Sequence, residues 1–175
     1  TAHTDAAGRF RFPNLPADAG ADLLVRTPGR ATICTYAPSM YGGSSLRYRA
    51  GQTEIRLTQP VEAKIEGVIA QKQTGQPVGG LTLRVISAGN RSLDGHDAIE
   101  SKADGTFAVP ALAAGQYTLL LVMPGDRLAD WVAAPVPVEL KAGEARTGLK
   151  IEVSQGGLLE IAVTDAAGNQ PIEKA

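Results

Sequence analysis

No run of this chain longer than ten residues is free of both glycine and proline, and that run is Leu158 to Ala167. A buried helix needs about 12 residues and tolerates neither breaker in its interior. Strands of about five or six residues fit between the breakers, and glycine and proline supply the turns that join them. The 20 Gly and 11 Pro among 175 residues are about 18% of the chain, against roughly 12% in an average protein. An all-β fold is therefore expected, with no substantial helix.

Charge and cysteine content narrow the class. Seventeen Lys and Arg against 18 Asp and Glu leave a formal charge of −1, which is no basic footprint for nucleic acid or an anionic membrane. No apolar run approaches the 18 residues of a spanning helix. Cys34 is the only cysteine, so an intrachain disulfide and a cysteine-built metal site are excluded. The chain opens at Thr1 without methionine or a signal-peptide pattern, and an excised or processed piece is expected.

A repeat organises these short segments. Gly8-Arg9-Phe10-Arg11-Phe12-Pro13-Asn14-Leu15 returns as Gly105-Thr106-Phe107-Ala108-Val109-Pro110-Ala111-Leu112, 97 residues later. Pro28-Gly29 returns as Pro124-Gly125, and Ala50-Gly51-Gln52 with Glu54 to Leu57 returns as Ala142-Gly143-Glu144 with Leu149 to Val153. The strand Ile65 to Ala70 with Gly75-Gln76-Pro77-Val78 answers to Leu159 to Thr164 with Gly168-Asn169-Gln170-Pro171-Ile172. A period of about 95 residues suits one sandwich domain better than a solenoid unit. Residues 1–60 are then expected to be the latter part of one copy, 61–156 a complete copy, and 157–175 the opening strand and turn of a third. Within the copies apolar positions alternate, as in Leu81, Leu83 and Val85 or Leu149, Ile151 and Val153. One face of each strand is expected to meet a core and the other water. Asp5-Ala6-Ala7-Gly8, Asp104-Gly105 and Asp165-Ala166-Ala167-Gly168 read as turns, an Asp capping each and a Gly taking positive φ.

The ordered blocks Asp104-Gly105-Thr106-Phe107, Val109-Pro110-Ala111-Leu112, Gly115-Gln116-Tyr117-Thr118-Leu119 and Pro124-Gly125 resemble carboxypeptidase regulatory-like domains, the transthyretin-like (prealbumin-like) sandwiches. The string from Thr4 to Ala17 and the opening Ile65 to Leu83 are similar to the same family. The resemblance covers the middle copy end to end. It implies tandem Greek-key β-sandwiches of about seven strands per complete unit, used as non-catalytic modules in larger bacterial proteins. It also implies an extracytoplasmic address, whether periplasmic, cell-surface or secreted, and brings no catalytic residues to carry over.

A search for chemistry agrees with a non-enzyme. Intradiol dioxygenases share a similar turn, but their iron takes two Tyr and two His with the His pair close in sequence. Here His3 and His96 stand 93 positions apart. Hydroxyisourate hydrolases on the transthyretin fold need a C-terminal tetrapeptide that Pro171 to Ala175 does not provide. Gly42-Gly43-Ser44-Ser45 is no nucleophile elbow. Cys34, between Ile33 and Thr35, reads as a small core residue. Asp94, Asp97, Glu100 and Asp104 lack calcium-loop spacing. Collagen-adhesin B-type sandwiches join first and last strands by Lys-to-Asn or Lys-to-Asp isopeptide bonds. Lys64 lies near the first strand, but Leu149 to Ser154 offers neither Asn nor Asp. No catalytic, cofactor or metal residue is expected.

Binding is the competing expectation. Tyr36, Tyr41 and Tyr48 are three of four tyrosines and share one stretch with Met40, Arg47 and Arg49. Exposed aromatics on loops stack on sugars or dock proteins, so Tyr36, Tyr41, Arg47 and Tyr48 form the candidate ligand loop. Trp131 is expected to be packed rather than displayed. Expected partners are other domains of the same polypeptide, with a glycan or protein ligand as the alternative and neither nucleic acid nor membrane insertion. With its opening strands absent, the first copy is expected to expose its core, and the tail 157–175 to complete it, within a chain or by swapping in a homodimer, or to pack as a separate stub.

Overall fold

A computed structural model describes residues 1–35, 48–87, 91–92, 98–122, 130–157 and 163–165. Among the described residues every regular element is a strand. Among them no helix is long and apolar enough to cross a membrane.

The described residues of 1–60 hold four two-residue strands: β1 (Gly20–Ala21), β2 (Leu24–Val25), β3 (Ile33–Cys34) and β4 (Tyr48–Arg49). They pair as β1 with β4 and β2 with β3, both antiparallel. Of the described residues in this stretch only Ala31 and Thr35 are buried. Thr35 is satisfied locally, its Oγ1 accepting the Leu23 N–H at 2.7 Å.

The remainder is a two-sheet sandwich. Its strands are β5 (Ala63–Gln71), β6 (Thr82–Ser87), β7 (Arg91–Ser92), β8 (Ile99–Glu100), β9 (Thr106–Leu112), β10 (Gly115–Leu121), β11 (Trp131–Val132), β12 (Val136–Leu140) and β13 (Ala145–Gln155). One sheet runs β11-β13-β5-β9; the other runs β12-β10-β6-β7, with β8 also on β6. Against about seven strands expected, the described residues hold six of five or more residues and three of two residues. The central strand β5 pairs parallel with β13 and antiparallel with β9. A parallel pair needs a long crossover, which the intervening strands provide.

Alternation explains which side chains meet. Ile65 and Ile69 of β5, Phe107 and Val109 of β9, and Ile151 and Val153 of β13 face Leu83, Val85, Leu119 and Val138 of the other sheet in one core. Trp131 is half-buried and packs against it, as expected. On β9 the alternation is interrupted: Val109 and Leu112, three apart, are both buried. A bulge reconciles them. Ala111 takes a left-handed φ of 58°, and the register steps from Ile65 opposite Val109 to Ala63 opposite Leu112. The Ala111 N–H released by the bulge donates to the Glu62 carboxylate at 2.9 Å. Gly67 of β5 has a different role. A Cβ there would meet the Phe107 ring at 2.7 Å as well as the Leu149 carbonyl oxygen, so the bare backbone makes room for the ring.

The N-terminal stretch is fastened to one end of the sandwich. Arg30 bridges to Val61, and Thr32 N–H donates to the Ala111 carbonyl at 2.8 Å. Ala31, fully buried, donates to the Pro60 carbonyl at 3.0 Å.

Candidate interaction surface

The residues predicted to bind a ligand are only partly in view. Tyr36, Tyr41 and Arg47 lie outside the described residues, as do His96 and Gly42 to Ser45. Tyr48 sits on β4 opposite Ala21, half-buried. With Gln52 to Arg56 it lines an open depression of about 520 Å³. His3 is exposed. Cys34, read as a core residue, is only half-buried on β3, because its two-residue strand has no second sheet behind it among the described residues. No group of three or more His, Cys, Asp or Glu stands together there.

Three other polar groups of the sandwich take part in local bonds. Lys64 contacts Glu66 at 2.7 Å, both half-exposed. That hydrogen bond, then the Glu66 charge, raises the Lys64 amine above its ordinary value. The β13 residue beside Lys64 is Ala145, which cannot form an isopeptide bond. Asp104 accepts from the Thr106 hydroxyl at 2.6 Å and the Thr106 N–H at 3.0 Å, and these bonds hold its carboxyl below the usual value. Tyr117 donates to the Ala113 carbonyl at 2.8 Å, the arrangement of a tyrosine corner. Burial pushes its phenol upward. The Gly115-Gln116-Tyr117 motif marks this residue in sequence, but periodicity alone does not reveal the bond its hydroxyl makes.

The feature that stands out is apolar. Phe12, Leu15 and Leu24 are exposed, although Phe12 and Leu15 occupy the motif positions of the buried Val109 and Leu112. Phe10 leans edge-on against Phe12 with ring centroids 5.6 Å apart. The local backbone is nonetheless that of the sandwich. Gly8 N–H donates to the Asp5 carbonyl at 2.9 Å and Asp5 N–H to the Arg9 carbonyl at 2.8 Å. Ninety-seven residues later, Gly105 donates to Lys102 and Lys102 to Thr106, both at 2.8 Å. Asn14 has φ 61° where Ala111 has 58°.

No family model and no curated protein matches the chain. Among solved structures it is similar to a DUF3823 family protein from Parabacteroides merdae, at 24% identity and TM-score 0.41 over 54% of this chain and 46% of that one. It is also similar to BcpA, the major pilin subunit of Bacillus cereus, at 13% identity and TM-score 0.45 over 56% and 31%. The shaft pilin SpaA from Lactobacillus rhamnosus GG matches at 16% identity and TM-score 0.44 over 91% and 68%. The chain spans under half the length of the first two. At these identities the likeness is one of β-rich fold and nothing more.

Proposed function

We propose that this chain is a window on a tandem array of carboxypeptidase regulatory-like sandwiches, a non-catalytic module that spaces or stabilises domains of an extracytoplasmic protein. The observation that supports it is the turn and left-handed residue built twice at an offset of 97 residues, Asp5 to Asn14 and Lys102 to Ala111, with matching backbone hydrogen bonds. Such a repeat is what an array requires. Its side chains supply packing and turn caps rather than a reacting pair.

A spacer should lengthen its host by a fixed step. The longest strand, β13, has 11 residues, so each added copy of 61–156 should extend the maximum dimension measured by small-angle scattering by roughly 30–40 Å. Chains with one, two and three copies that fail to lengthen stepwise would count against this reading. The competing one, a glycan- or protein-binding loop at 36–48, has Tyr48 at an open depression in its support. Calorimetric titration with glycans, and its loss in Tyr41→Ala, would favour that alternative.

A further inference from the structure

The four residues that lead into the sandwich, Gln59-Pro60-Val61-Glu62, are not a loose tether. A flexible linker is built of Gly and Ser, whereas this connector has neither, and Pro60 fixes its own φ. Its main chain is paired on both sides of the Arg30 and Val61 bridge. Ala31 N–H donates to the Pro60 carbonyl at 3.0 Å and Glu62 N–H to the Gly29 carbonyl at 3.3 Å, so the connector lies antiparallel to residues 29–31.

Gln59 secures the N-terminal side. Its Nε2 donates to the carbonyls of Val25 at 3.2 Å and Ala31 at 3.0 Å, and its Oε1 accepts from the Thr27 hydroxyl at 2.6 Å. Ala31 is fully buried. Both of its backbone groups are thereby satisfied, one by the main chain of the connector and one by the Gln59 side chain, as burial demands.

Glu62 secures the sandwich side. Among the described residues β9 is the last strand of its sheet, and a last strand offers backbone groups for pairing. At the bulge the Glu62 carboxylate accepts the Ala111 N–H at 2.9 Å, while the Ala111 carbonyl accepts the Thr32 N–H at 2.8 Å. Holding the N–H of this left-handed residue fixes where its carbonyl points. Glu62 therefore positions the acceptor that Thr32 uses. Ninety-four residues later Gly156-Gly157 stand where Glu62-Ala63 do, so the carboxylate belongs to this junction and not to the repeat.

We propose that the bulged end of β9 is the docking surface for the preceding unit of the same chain, with Gly29 to Thr32 seated on it. Gln59 to Glu62 and Ala111 make the contact a stiff joint that holds the two in one orientation, and Glu62 is its positioning residue. The joint deepens the spacer reading above and rests on it: a loose tether limits only how far apart two units lie, whereas a secured joint sets their direction. The expected completion of the first copy by residues 157–175 falls outside the described residues, save 157 and 163–165, and the joint draws on none of it.

Nuclear magnetic relaxation and amide exchange on the full chain test the joint. Residues 20–34 and the sandwich should share one tumbling time, and the Ala31 and Thr32 amides should exchange about tenfold or more slower than unstructured ones. Glu62→Ala removes a charged acceptor and should speed Thr32 exchange by about tenfold. Val78, whose N–H donates to the Ile69 carbonyl inside the sandwich, should keep its rate. Glu62→Gln, which retains an oxygen acceptor, should recover most of the protection. Four flexible residues inserted between Pro60 and Val61 should split the tumbling times and speed Thr32 exchange. This insertion alters no residue of the sandwich core, so it decides the matter where Glu62→Ala also speeds Val78. Two tumbling times in the wild type, or Thr32 exchange indifferent to the insertion, overturns the joint. Arrays that lengthen stepwise without a stiff joint would leave the spacer reading standing; arrays that fail to lengthen around a stiff joint would remove that reading alone.

Discussion

Residues 106–112 and 9–15 follow the same motif and bend the same way at Ala111 and Asn14, yet one is the inner wall of a core and the other lies largely in water. Short-range bonding therefore suffices to set the turn, and the left-handed residue after it forms in a run that belongs to no strand ladder among the described residues. Burial is set by what lies alongside, and only β9 has β5 on its flank and a second sheet above it. Local conformation is a property of the motif, whereas stability is a property of its neighbours.

The largest test of this contrast removes the same ring from both places. Phe107 is buried among both sheets and lies over Gly67, so Phe107→Ala should cost about 3–5 kcal/mol and lower the sandwich's melting temperature sharply. Phe10→Ala removes a ring that is only half-buried and should change that transition by about 0.5 kcal/mol or less. Equal effects in thermal denaturation would mean that the N-terminal stretch has a core of its own.

Glycine gives the next, smaller difference. Gly8 and Gly105 have φ of 73° and 76°, a region where an added Cβ costs about 1–2 kcal/mol. A Cβ on Gly8 would meet nothing within 4 Å, whereas on Gly105 it would stand 2.6 Å from the Ile69 carbonyl oxygen. Gly105→Ala should therefore lose about 2–4 kcal/mol in urea unfolding, and Gly8→Ala should leave the same transition nearly unchanged. Below these lies Tyr117→Phe, which deletes the bond to Ala113 and keeps the ring. About 1 kcal/mol is expected.

Much of this was legible in the sequence because breakers and alternation are local. The all-β fold follows from the spacing of glycine and proline, and the facing of Leu83, Val85, Ile151 and Val153 from a period of two. Asp5 accepts from the Ala7 and Arg9 N–H groups at 2.9 Å, which is the turn its spacing implies. Other features depend on tertiary context. Nothing in Pro110-Ala111-Leu112 announces a left-handed alanine, since alanine has no intrinsic preference for that region. Its consequence in the sandwich is tertiary: Val109 and Leu112, three apart, both reach one core. Cys34 failed as a core residue for the converse reason: strand-like neighbours cannot say whether a second layer exists. The candidate ligand loop was read from composition, and Tyr48 alone has its setting described.

The smallest expected effect separates the two turns by their acids. In the N-terminal turn the carboxylate comes from Asp5, at the motif position of Lys102; in the sandwich it comes from Asp104, at the position of Ala7. Only the second has a hydroxyl beside it, that of Thr106, and this bond leads the depression of the Asp104 pKa below 3.8. A carboxyl whose pKa is lower folded than unfolded binds fewer protons when folded, so its contribution is complete above the unfolded value and fades as pH falls through the folded one. The melting temperature of the wild type should accordingly exceed that of Asp104→Asn by a constant margin near neutrality, and the margin should shrink as pH drops below 3.8. Thr106→Val should weaken this dependence, because the hydroxyl is its leading cause. A margin that stays flat into strong acid would show that Asp104 acts through the shape of its turn rather than through its charge.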